Sequence, residues 1–173
     1  LEGKRKPKVG WWVLPLVAGL IVILDQFTKY LVISNLELYE AWIPIPALAR
    51  WLEILYVTNT GAAFGLFQNA NLVFIIVAIL VSAAILFYYR YLPDGQWLLR
   101  ISLGMQLGGA VGNFIDRVRV GHVIDFINTH VWPVWNVADM SLIGGVILMA
   151  FLLLREDRVE RREAHAEESV SSG

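Results

Sequence analysis

The chain has 173 residues, 57% of them apolar, with a mean hydropathy of +0.60. Soluble domains average about 45–50% apolar residues, so an ordinary water-soluble globule is excluded and a membrane protein is expected. The net charge of −1 gives no basis for a nucleic-acid partner, and the absence of cysteine removes disulfides, thiolate metal sites and a cysteine nucleophile.

Four apolar runs are expected to cross the bilayer: Trp11 to Ile33, Leu72 to Leu92, Trp97 to Ile115 and Ala138 to Leu154. Each approaches the ~20 residues that span a ~30 Å hydrocarbon core. The first follows Lys4, Arg5, Lys6 and Lys8, as the core of a signal peptide would. It is longer than such a core, shows no small-residue cleavage site and carries Asp25 and Lys29, so a retained span is expected. With the N-terminus in the cytoplasm, that side collects the N-terminal cluster, Arg90, Arg100, Arg155, Arg158, Arg161 and Arg162. The excess of basic residues there fixes both termini as cytoplasmic.

Residues 1–10 thus read as a basic cytoplasmic N-terminus, 11–155 as a membrane domain and 156–173 as a charged cytoplasmic tail, a solvated helix expected to fray into disorder. Two segments face outward. In residues 35–70, Pro44 and Pro46 disfavour a regular helix, and "LEILYVT" has the β-branched and aromatic content of a strand. The second, about 118–136, reads as an outer loop whose Trp132 and Trp135 suit the headgroup level. The expected fold is an all-α polytopic membrane protein: a bundle of four transmembrane helices with a small extracytoplasmic β element.

The polar residues of the spans converge at one depth. Asp25 and Lys29 share a face of the first span at i,i+4 spacing. Asn113, Asp116 and Arg117 close the third span on one face, and Asn136 and Asp139 open the fourth. Asn59 comes from the outer segment. A carboxylate at the centre of a span costs roughly 2.5–3.5 kcal/mol on insertion scales, so several at one depth suggest a site. Simpler roles compete with that reading. Asp25 with Lys29 is an internal ion pair, Asp116 beside Arg117 is a brace or a substrate contact, and Asn136 is the N-cap of the fourth helix. Gly104, Gly108 and Gly112 form a close-packing face, and His122 and His130 are interfacial rather than metal ligands. Gly121 is expected to end the third helix. On one unbroken helix Asp116 and Asp125 would point to opposite faces; with the helix ended, either could partner Asp139, and spacing does not choose between them.

The ordered blocks "DQFTK" (25–29), "NTGAAFG" (59–65), "GGAVGNFIDRVRVGHVIDF" (108–126) and "WNVAD" (135–139) resemble the lipoprotein signal peptidase family, also called signal peptidase II, over about residues 11–155. The resemblance implies a bacterial inner-membrane aspartic endopeptidase that cuts diacylglyceryl-modified prolipoproteins before the lipidated cysteine. It implies Asp125 and Asp139 as the catalytic pair, with Asn59, Gly61, Asn113, Asp116, Arg117, Asn136, Asp25 and Lys29 shaping or supporting the site. It also implies no metal or other cofactor, a monomer, and prolipoprotein signal peptides and membrane lipid as partners, with the active site at the outer face. Trp135 replaces the usual Phe, and the stretch between Asp125 and Asp139 is shorter than in many members, which bears on the surface helix often found there. The competing classes are a small transporter or proton-relay bundle, whose ionisable groups should occupy several depths, and a non-enzymatic assembly factor. A serine protease lacks its motif, since Ser34 and Ser141 have no evident base.

Overall fold

The computed structural model describes residues 10–61 and 70–171. The basic cluster before Gly10 and residues 62–65 of the "NTGAAFG" block lie outside them. The helices are α1 (Val13–Asn35), α2 (Asn71–Tyr89), α3 (Trp97–Val120) and α4 (Val137–Ser171). A short 3-10 turn occupies Pro46–Leu48, where the prolines were expected to exclude a regular helix. The expected helix of the charged tail is continuous with the fourth apolar run and extends to Ser171 without the expected fraying.

Among the described residues, three helices are long and apolar enough to cross a membrane: α1, α2 and residues Val137–Glu156 of α4. Their apolar side chains remain largely exposed, as with Leu20, Ile23, Leu80 and Ile147, which suits a lipid solvent. Helix α3, the third of the four expected spans, is less apolar and is not among them. Its place in the bundle gives the reason. Helices α1, α2 and α4 all pack on α3, which buries Leu103, Leu107 and Ala110 together with Ser102, Asn113 and Asp116. Surrounded on three sides, α3 needs little lipid-facing surface and can carry polar groups. Its glycines set the spacing. A Cβ on Gly108 would lie 2.9 Å from the Ala18 carbonyl of α1, and one on Gly112 would lie 2.6 Å from Asp25 Oδ2. The glycine face is therefore a packing face, as read, and Gly112 also makes room for a carboxylate.

The β element is larger than expected. Strands β1 (Ala41–Trp42), β2 (Glu53–Asn59) and β3 (Val123–Asn128) form one antiparallel sheet in that order. The third strand comes from the 118–136 segment, where the sequence predicts an outer loop. Its Val-Ile-Asp-Phe-Ile pattern is short, and its partner β2 lies more than sixty residues earlier, so local sequence gave little sign of the pairing. Gly121 ends α3 at φ 81°, its N–H donating to the Arg117 carbonyl at 3.2 Å. This left-handed cap, which a Cβ would disfavour, reverses the chain into β3. After β3 the chain folds back on itself. The N–H of Ile127 donates to the Trp135 carbonyl at 2.8 Å, and that of Trp135 returns to the Ile127 carbonyl at 3.1 Å. No helix forms between β3 and α4, and this return places the head of α4 beside the middle of β3.

Candidate active site

At the sheet end of the bundle a cavity of about 220 Å³ is lined by Asn59, Gly61, Asn113, Arg117, Asp125 and Asp139, with Trp132 to Trp135 along its rim. Each residue arrives on a different element. Asn59 ends β2, Asp125 sits in β3, Asn113 and Arg117 face inward from the last turns of α3, and Asp139 lies in the first turn of α4.

The helix cap brings the carboxylates together. Asn136 Oδ1 accepts from the Asp139 N–H at 3.0 Å, while the Asn136 N–H donates to Asp139 Oδ2 at 3.3 Å. This reciprocal pair is a capping box with Asp in the place usually held by Glu or Gln. The expected N-cap role of Asn136 is met, and its amide does more. Nδ2 donates to Asp125 Oδ1 at 2.7 Å and to Asn113 Oδ1 at 3.1 Å. One asparagine, 0% exposed, therefore holds both Asp125 and Asp139. The remaining oxygens are also served by amides: Asn59 Nδ2 donates to Asp125 Oδ2 at 3.0 Å, and Asn113 Nδ2 donates to Asp139 Oδ1 at 2.7 Å.

Behind this pair lies a second cluster. Lys29 Nζ, almost fully buried, contacts Asp25 Oδ2 at 2.9 Å, Asp116 Oδ2 at 2.7 Å and Asn113 Oδ1 at 3.1 Å. Asp25 Oδ1 accepts from the Ala138 N–H at 2.9 Å, and Asp116 Oδ2 accepts from the Ile124 N–H at 3.2 Å. The ion pair expected for Asp25 and Lys29 thus includes Asp116 as well. Asp116 does not line the cavity. Of the two aspartates that spacing left open as partners for Asp139, the geometry brings Asp125.

Burial pushes the Asp125 carboxyl up to about 7, with the neighbouring Asp139 charge adding to the rise and the Asn59 and Asn136 amides opposing it. No lysine or arginine ion pair reaches Asp125 or Asp139 among the described residues. The nearest cation in the cavity wall is Arg117. Its Nη2 donates to the Gly61 carbonyl at 3.2 Å, its guanidinium stacks over Phe74 of α2 at 4.8 Å, and its Nε has no partner among the described residues. Gly61 is held in turn, its N–H donating to Asn59 Oδ1 at 3.0 Å. His122 and His130 are not in the cavity wall.

Sequence reading passed over Gln26, although it sits inside "DQFTK". Its Nε2 lies 3.1 Å from Asp25 Oδ2 and 2.9 Å from Asp116 Oδ1, tying the two carboxylates together across α1 and α3. A polar residue beside Asp25 in an apolar run was the available signal. Phe74 and the Ile124 N–H left none, since a ring in an apolar helix and a backbone group carry no mark in sequence.

Comparison with known proteins identifies the family. The family described as Signal peptidase (SPase) II matches residues 17–155. The lipoprotein signal peptidase of Moorella thermoacetica is 44% identical over 86% of this chain and 97% of its own length. That of Geobacter metallireducens is 39% identical over 90% of this chain and 99% of its own. A bacterial membrane enzyme solved by the in meso method at 2.3 Å superposes with a TM-score of 0.81 at 32% identity, covering 88% of this chain and 94% of the other. With the match running from α1 into α4 and taking in every residue of the cavity wall, the chain belongs to the signal peptidase II family.

Proposed function

We propose that this chain is an aspartic endopeptidase of the membrane that removes the signal peptide from diacylglyceryl-modified prolipoproteins, cutting before the lipidated cysteine, with Asp125 and Asp139 as its catalytic pair. The observation that carries the assignment is the single asparagine, Asn136, bonded to both carboxyl groups at the wall of one cavity.

Two close carboxyl groups in a buried site do not both ionise comfortably, so the pair holds one proton. Asp125 is the deeper of the two, 2% exposed and raised to about 7, and it carries the proton. Asp139, at the more open side of the cavity, takes a proton from water as the water oxygen bonds to the scissile carbonyl carbon. Asp125 donates to the carbonyl oxygen as charge develops there. The proton then passes to the peptide nitrogen, the C–N bond breaks, and the new amine leaves with the lipidated cysteine. Four amide and backbone donors keep the carboxyl planes fixed through these steps, and Arg117 holds the substrate backbone at the cavity mouth.

In the proposed topology all four helices cross the bacterial inner membrane and both termini are cytoplasmic. The three apolar helices and the Lys and Arg distribution support it, and α3 crosses as the shielded centre at about 36 Å for its 24 residues. The sheet and cavity then lie at the outer interface, where the lipid chains of a substrate stay in the bilayer. Each exposed CH₂ would otherwise cost about 0.8 kcal/mol. Residues 11–155 form the peptidase domain and 156–173 its cytoplasmic tail. One copy supplies every named residue of the cavity, which favours a monomer. The transporter reading has no support: the relatives are peptidases, and the ion cluster and the cavity share one end of the bundle. The test is incubation of the reconstituted chain with a diacylglyceryl-modified test precursor. A peptidase releases the signal peptide and leaves a product beginning at the modified cysteine; an intact precursor rejects the assignment.

A further inference from the structure

We infer that the signal helix of the precursor docks on the flank of α3 between α2 and α4, and that Gln106 reads its sequence from within the bilayer. The inference rests on the peptidase reading above. It begins from a half-buried amide that is only loosely bonded. Gln106 Nε2 makes only long contacts, 3.4 Å to Ser102 Oγ and 3.9 Å to Met149 Sδ, and its Oε1 accepts no hydrogen bond from any described residue. An unsatisfied amide in hydrocarbon is costly, and glutamine in membrane helices is used to bond across to a neighbouring helix. The chain keeps room for this side chain, since a Cβ on Gly145 of α4 would lie 2.8 Å from Gln106 Cγ.

The position of Gln106 identifies the neighbour. Gln106, Asn113 and Arg117 are related by i, i+7 and i+11, which places them within about 20° of one line along α3. That line runs from mid-helix into the catalytic cavity, whose walls are Arg117 over Phe74 of α2 on one side and Leu142 and Ile143 of α4 on the other. Helices α1 and α4 touch, whereas α2 packs on α3 without comparable contact to α4. The flank of α3 between α2 and α4 thus adjoins the cavity, and a helix lying along it would deliver its outer end to Asp125 and Asp139. In the proposed topology such a helix runs parallel to α3. Gln106 is about 10.5 Å below Asn113, so it meets the signal helix roughly seven residues before the scissile bond.

The experiment uses the reconstituted full chain and a lipid-modified precursor with an all-leucine core, into which one serine is moved position by position. The wild type is expected to prefer serine by about threefold to tenfold in kcat/KM at one register roughly seven residues before the cut. That ratio falls to about one in both Gln106→Leu and Gln106→Met. Should either substitution prevent folding, a photo-cross-linker at the same precursor position, captured by the Asp139→Asn enzyme, must label the Gln106 turn of α3. A wild type without register preference, a preference that survives the substitutions, or labelling elsewhere overturns the inference. Cross-linking of two copies of the chain through residue 106 in place of the precursor also overturns it and marks this face as self-associating. If the wild type cleaves no precursor at all, it is the peptidase reading that fails; cleavage without preference removes only the docking.

Discussion

Two pairs of aspartates lie at the same end of the bundle and are treated in opposite ways. Asp25 and Asp116 share Lys29, which reaches both within 2.9 Å. Asp125 and Asp139 share Asn136, a neutral amide. A cation between carboxylates fixes charge, and burying such an ion cluster gives rigidity. Amides between carboxylates fix geometry and leave the charge unsettled, so that one proton can move. Asn113 joins the two regions, accepting from Lys29 with its oxygen and donating to Asp139 with its nitrogen. Asn113 thereby couples the ionic cluster to the proposed reactive one.

Asp139→Asn strikes the reactive side hardest. It removes the proposed base and sets an amide NH₂ against either Asn113 Nδ2 or the Asn136 N–H, both donors. Turnover of a lipid-modified precursor is expected to fall by about 10²–10⁴-fold, while circular dichroism still reports the helices. Lys29→Met breaks the ionic side and leaves two buried carboxylates unpaired. Thermal or denaturant unfolding in detergent is expected to show a loss of roughly 3–5 kcal/mol, with activity declining as the folded fraction declines. Arg117→Ala belongs to neither pair. It removes a charged donor at the cavity mouth, so KM is expected to rise about tenfold with kcat changed less; unchanged substrate affinity would reject its binding role.

The smallest effect is the most discriminating about charge. Asp125 must hold its proton to act as the acid, and its carboxyl is raised to about 7. Activity is therefore retained below that pH and lost as pH rises through it, about tenfold per unit beyond the limb. Asn59 donates to the Asp125 carboxylate and favours its charged form. Asn59→Ala removes that support, raises the Asp125 pKa further and moves the alkaline limb of the kcat/KM profile to higher pH. A limb that moves down, or stays in place, contradicts the assignment of the proton to Asp125.

Much of this was legible in the sequence because membranes make polar residues conspicuous. Asp25, Lys29, Asn113, Asp116 and Asp139 stand out in apolar runs, and helical spacing places them at one end. The N-cap at Asn136 and the helix stop at Gly121 follow from local chemistry alone. What spacing could not give was the choice between Asp116 and Asp125. That choice depends on the β2–β3 pairing and on the return of Trp135 along β3, both made of backbone hydrogen bonds between distant residues. The family resemblance supplied it instead. The modest apolarity of α3 has a similar origin, because burial by three neighbours cannot be read from one helix.

The central claim is that Asp125, and not Asp116, works with Asp139. Its most direct test is cleavage of one lipid-modified precursor by Asp125→Asn and by Asp116→Asn, each corrected for the fraction that remains folded. The account predicts no turnover by folded Asp125→Asn and residual turnover by whatever Asp116→Asn protein folds. Turnover by Asp125→Asn, with none by folded Asp116→Asn, would contradict it.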